Sequence, residues 1–191
     1  MSSRSTYNNR PALSALLDFR VVTDLATEPI TLTEVKRHLN MVFDTDGSYE
    51  FNDDDTKLTE LITEVRQALE KYTGLSFGEK TLQVVISNER GQRFELPYGP
   101  VTSVTTVVDK DGEDIGDPVI RGLDFKWIET CSSYMVVTYE AGYSTLPADL
   151  KRAMKEEIAF RYKNQGDHGD EIHSASARNL AAKHRRVGWL L

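Results

Sequence analysis

The sequence predicts an α+β fold: a bundle of three to four helices with an inserted antiparallel β-sheet domain. Apolar residues recur at steps of three and four before residue 80 and again after residue 146. Between them, residues 80–143 change to a period of two and are rich in Val, Ile, Thr, Tyr, Phe and Trp. With 191 residues, 39% of them hydrophobic, the chain suits one domain of ordinary size carrying an insert.

The first 17 residues read as a flexible arm with a small apolar patch, Leu13, Leu16 and Leu17. Phe19-Arg-Val-Val22 is short and β-prone. A helix is expected over about 32–40. Thr31 and Glu34 form a capping box that satisfies two backbone donors, and Leu32, Val35 and Leu39 share one face. Residues 41–55 are a polar loop, in which Asp53, Asp54 or Asp55 caps the next helix. That helix, over 55–73, carries the clearest stripe in the chain: Leu58, Leu61, Ile62, Val65, Leu69 and Tyr72. Its members Leu58, Leu61, Ile62, Val65 and Leu69 are expected to form the bundle core. Gly74 sits where a left-handed cap ends the helix.

Strands are expected at Thr81–Ile86, Arg93–Leu96, Val101–Val108, Asp124–Ile128 and Tyr134–Tyr139, giving one sheet of about five. Pro97-Tyr-Gly-Pro100 breaks the chain, and Asp109-Lys-Asp-Gly112 marks a hairpin turn. Pro147 opens a helix with Leu150, Met154, Ile158 and Tyr162 on its apolar side, and Asn164–Gly169 ends it. Ser174–His184 is Ala-rich and predicts a last short helix. The chain thus divides into an arm (1–17), a helical bundle (18–79 and 144–184), a β-rich insert (80–143) and a C-terminal tail (185–191).

Charge narrows the function. The net charge is −7, and residues 31–146 hold 21 acidic against 11 basic side chains. Residues 147–191 reverse this, with 9 basic and 6 acidic. A duplex binder that neutralises phosphates carries a basic body, so the acidic body argues against a sequence-specific DNA-binding regulator. No apolar run reaches the roughly 18–20 residues that span a bilayer, so no membrane role is expected. The N-terminus lacks the pattern of a signal peptide. The lone Cys131 has no disulfide partner in the chain and predicts folding in a reducing cytoplasm.

Catalytic signatures are missing: there is no phosphate-binding Gly loop, no nucleophile elbow and no zinc helix. An enzyme built on Asp53 to Asp55 is the alternative considered, but capping explains those acids better. His168 and His173, with Asp170 and Glu171 between them, lie in a glycine-flanked loop that reads as solvated rather than metal-binding. Asp44-Thr-Asp-Gly47 places its glycine two positions too early for an EF-hand. No catalytic residue, metal site or cofactor is expected. The tail differs: Val187, Trp189, Leu190 and Leu191 beside Arg185 and Arg186 form an apolar cluster at a chain end. Such a cluster either folds back on its own helices or inserts into a partner, and Trp with Arg is typical of interface hot spots.

Seven segments in this order carry a resemblance. They are Pro29–Leu39, Asp55–Ile62, Glu70–Gly74, Leu96–Val104, Val137–Tyr143, Leu146–Lys151 and Arg185–Trp189. Together they resemble the head–tail connector (adaptor, or head-completion) proteins of long-tailed bacteriophages and gene-transfer particles. The resemblance covers about residues 19–163 and, less fully, the tail. It implies a structural virion protein of the neck, made in the host cytoplasm, in a homo-oligomeric ring typically of twelve subunits. That ring sits beneath the portal protein, extends the DNA channel without binding DNA specifically, and meets the next neck or tail protein. It also implies that Arg185, Arg186, Val187, Trp189, Leu190 and Leu191 dock on the portal. The sequence departs from the family in its arm, in the loop around 165–174, and at His184, where an aromatic residue is expected.

Overall fold

In the computed structural model, the described residues are 16–41, 54–87, 93–116, 118–129, 132–164, 166 and 171–186. The elements run β1 (Leu16–Thr23), α1 (Leu32–His38), α2 (Asp55–Thr73), β2 (Lys80–Ser87), β3 (Phe94–Glu95), β4 (Val101–Val108), β5 (Val119–Arg121), β6 (Trp127–Glu129), β7 (Tyr134–Ala141), α3 (Ala148–Lys163) and α4 (Ala175–Ala182). After β1, the helices α1–α2 and α3–α4 flank a strand-rich middle, so the α+β class holds.

Local chemistry sets the helix ends. Thr31 Oγ1 accepts from the Glu34 N–H at 3.2 Å while the Glu34 carboxylate accepts from the Thr31 N–H at 2.9 Å, completing the capping box. That Thr31 bond, with Lys155 and Lys151 nearby, holds the Glu34 carboxyl below the usual glutamate range against the opposing effect of burial. Gly74 closes α2 at φ 69°, a left-handed geometry that glycine adopts without penalty. The aspartates at the start of α2 act differently from expectation. Asp54 occupies the cap position without a side-chain capping bond, and its carboxylate accepts from the Tyr162 hydroxyl of α3 at 2.5 Å. Asp55 pairs with the buried Lys36 of α1 at 2.5 Å. These acids tie helices together. Asp53 lies outside the described residues.

One apolar cluster fills the bundle. It joins Leu58, Ile62, Val65 and Leu69 of α2 to Leu150, Met154 and Ile158 of α3 and to Ala177 and Ala181 of α4. Leu61, expected among them, is half-buried at the cluster's edge, because Leu58, Ile62, Val65 and Leu69 take the centre of the stripe. Leu58→Ala is therefore expected to cost about 2–5 kcal/mol, and Leu61→Ala about 1 kcal/mol. Urea denaturation checks the pair, and equal losses would contradict this packing.

The strands form two sheets rather than one. A four-stranded antiparallel sheet has the order β1-β2-β7-β4, and a three-stranded one the order β3-β6-β5. On β2, Leu82, Val84 and Ile86 alternate with half-exposed residues and face the second apolar cluster, with Val137 and Tyr139 of β7. Three expectations need correction. Leu16–Thr23 is a strand paired along β2, so it belongs to the sheet and not to the arm or the bundle. Residues 119–121 form a strand that its three-residue length hid, and the strand expected over 124–128 is Trp127–Glu129. The helix expected from Ser174 to His184 is the shorter α4, with Ser174 as its N-cap and its hydroxyl accepting from the Ala177 N–H at 3.3 Å. Residues 1–15 of the expected arm lie outside the described residues. Gly142 shows how closely the chain crosses itself at the seam: at φ 130°, a Cβ there would lie 1.9 Å from the Gly78 carbonyl oxygen.

Candidate docking site

The root of the C-terminal tail is built by α3, α4 and the end of α2. Glu157 of α3 is fully buried and accepts from the Arg161 guanidinium at 3.0 Å and from the His173 and Ser174 N–H groups at 3.1 and 2.8 Å. Arg161 in turn donates to the Glu171 carbonyl at 2.9 Å. This charged, hydrogen-bonded post fixes the approach to α4. His173 stacks on Phe160 with ring centroids 5.9 Å apart. His168 lies outside the described residues, and among those described no group of three or more His, Cys, Asp or Glu is placed to share a metal ion.

After α4 the chain turns back onto α2. The Arg186 N–H donates to the Thr73 carbonyl at 2.8 Å. Its guanidinium pairs with the buried Glu95 carboxylate of β3 and lies 3.6 Å from the centre of the Phe125 ring. Arg185 lies over the Tyr72 ring, 4.9 Å from its centre. His184 and Lys183 approach Asp149 at 3.9 and 3.7 Å. Both arginines therefore bind within their own chain. A buried Glu95 without a cation is costly, so the pairing is favoured locally. Val187, Trp189, Leu190 and Leu191 lie outside the described residues. The two arginines form a clamp that holds the last described residues against α2, β3 and the β5–β6 turn.

Beside the clamp, a cavity of about 840 Å³ opens between β1–β2 and α2, lined by Phe19, Val21, Leu82, Tyr98, Tyr72 and Arg185 among others. It also meets an ionic network. Arg66 of α2, only 2% exposed, contacts Glu28 at 2.9 Å, Glu70 at 3.1 Å and Asp24 at 3.2 Å. Lys80 of β2 reaches Glu70 at 2.6 Å and Asp24 at 3.3 Å. Glu70 also accepts from the Phe77 N–H at 2.7 Å. Burial opposes charge on Arg66, but Glu70, Glu28 and Asp24 together raise its pKa. Burial likewise opposes charge on Asp24, yet the Leu25 N–H, Lys80 and Arg66 bring its carboxyl below the usual range. The network holds the β1–α1 connection, α2 and β2 together. Sequence reasoning missed it, although one signal was present: Arg66 falls four residues after Ile62 and three before Leu69, on the buried stripe.

The family model for head completion proteins matches residues 30–172, from the approach to α1 to the loop before α4. The chain belongs to the head completion protein family. That family makes it a structural head–tail connector protein. Among curated proteins, none matches the chain. Three solved structures share the fold of this head completion protein. It is similar to a chain in the neck of an empty GTA particle computed with C6 symmetry (TM-score 0.71, 19% identity). Similar chains occur in the virion of the native gene transfer agent particle (TM-score 0.66, 20% identity) and in the neck of the native particle computed with C12 symmetry (TM-score 0.64, 20% identity). Each comparison covers 90% of this chain and 96% of the other.

Proposed function

We propose that this head completion protein assembles as a ring of twelve in the virion neck, seated beneath the portal protein. There it prolongs the DNA channel and presents a surface to the next neck or tail protein. The observation that carries this reading is the family match over residues 30–172. The similar chains come from necks computed with C6 and C12 symmetry, which is compatible with twelve copies.

Residues 187–191 are the portal-docking segment in this reading, with Val187, Trp189, Leu190 and Leu191 as its contacts. The arginines just before it support this reading: Arg186 is pinned to α2 and β3, and Arg185 rests on Tyr72. Repetition around a ring turns a modest contact per subunit into firm attachment through effective concentration. The net charge of −7 suits a conduit that lets the duplex slide without holding it. Among the described residues no helix is long and apolar enough to cross a membrane.

The test uses DNA-filled heads assembled without the protein. Adding the purified chain is expected to convert them to heads that join tails. Equal tail joining with and without it would contradict the proposal.

A further inference from the structure

We propose that neighbouring copies in the ring meet through β1 of one subunit and β5 of the next. The proposal rests on the ring reading above and assigns its contact surfaces. Among the described residues, the large exposed hydrophobics are Leu17, Val21, Val22, Val119, Ile120 and Leu123. They fall in only two places. Three lie on β1, and three on β5 and the turn after it.

Local structure turns Leu17, Val22 and Leu123 outward, while Val21 sits at the open rim of the cavity beside α2. On β1, Leu17 and Val22 are the extra residues at two irregularities in the pairing with β2, so neither has a partner across the ladder. A bulge of this kind redirects a side chain away from the regular alternation. Leu123 follows Gly122 in the turn between β5 and β6 and is 89% exposed. Contiguous exposed apolar groups of this type mark association surfaces.

Their placement suits a ring. A closed ring built by rotation needs two different, mutually complementary surfaces on each subunit. β1 forms one edge of the four-stranded sheet, and β4 forms the other. The segment carrying β5 attaches beyond β4. The Val101 N–H donates to the Asp124 carbonyl at 2.7 Å, the Ile115 N–H donates to the Val107 carbonyl at 3.1 Å, and Lys126 donates to the Val101 and Thr102 carbonyls at 2.7 and 2.6 Å. Three strand spacings, roughly 14 Å in all, separate β1 from β4. The two patches thus flank the sheet on opposite sides, so neither covers the other within a subunit, and a second copy supplies the missing face. Among the described residues both strands are also sheet edges, and an edge's backbone groups favour a neighbouring strand.

The experiment places one cysteine in each patch, Val22→Cys and Leu123→Cys, in a chain whose own thiol is removed by Cys131→Ser. Both sites are exposed, so the fold is not perturbed. Particles carrying this chain are treated with a short bismaleimide and resolved on a denaturing gel. The expected result is a ladder in steps of the 21.6 kDa chain. Each single-cysteine chain is expected to stay monomeric under the same treatment. Leu123→Glu is expected to lower incorporation into particles at least tenfold. Three results would overturn the contact: monomers only, dimers from a single-cysteine chain, or an adduct with a protein of another mass. Amine cross-linking of the same particles separates the two readings. Multimers by amine cross-linking without the cysteine ladder refute this contact alone, and monomers by both methods refute the ring as well.

Discussion

Truncation after Arg186 is expected to leave a folded, soluble subunit that no longer attaches to DNA-filled heads. Every described contact of the tail root ends at Arg186: its N–H on Thr73, and its guanidinium on Glu95 and Phe125. Cutting beyond that point keeps Glu95 paired, whereas removing residues 185–191 would strand its buried carboxylate. The truncation therefore isolates docking from folding. Burying the indole of Trp189 removes about 150–250 Å² from water, which at about 25 cal/mol per Å² contributes roughly 4–6 kcal/mol before ordering costs. Even half of that, multiplied around a ring, decides whether the ring stays seated. Co-sedimentation of the truncated chain with heads measures the outcome. Attachment at the parental level would place docking elsewhere, and loss of the folded state would assign the tail to the subunit's own core.

Arg66→Ala is expected to be the most damaging single substitution in the seam, costing about 3–5 kcal/mol. The lower end is the better expectation, because Asp24 and Glu28 keep partial contact with water and only Glu70 is deeply buried with Arg66. Without the guanidinium, Glu70 retains Lys80 and the Phe77 N–H, while Glu28 loses its cation. The β1–α1 connection would then loosen from α2, and β1 with it. Urea denaturation reads the loss directly. A cost below about 1 kcal/mol would show that the network contributes little to holding sheet and bundle together. Ring incorporation of the same variant should fall further than that of Leu61→Ala, because β1 carries one of the two proposed contact surfaces.

The helices were legible because their signals are local. The Thr31–Glu34 box, the stripe of α2 and Gly74 each act within a few residues and are where the sequence puts them. Long-range partners were less legible. Phe19–Val22 read as β-prone, but the full extent of Leu16–Thr23 and its place in the sheet come from pairing with β2. β5 is three residues long and takes its form from β6. Arg66 falls on the stripe of α2, but nothing in the sequence announces that Asp24, Glu28 and Glu70 converge on it. Arg185 and Arg186 make contacts within the chain that the sequence does not announce. Their binding groups, Tyr72, Glu95, Phe125 and the Thr73 carbonyl, come from α2, from β3 and from the β5–β6 turn.

Symmetry-resolved imaging of particles that contain this chain tests the central claim most directly. The expected density is a ring of twelve copies at the head–tail junction, with residues 187–191 of each copy extending into the portal and Arg186 still seated on Glu95. A junction that lacks the chain, or a ring whose tails turn away from the portal, would contradict the account.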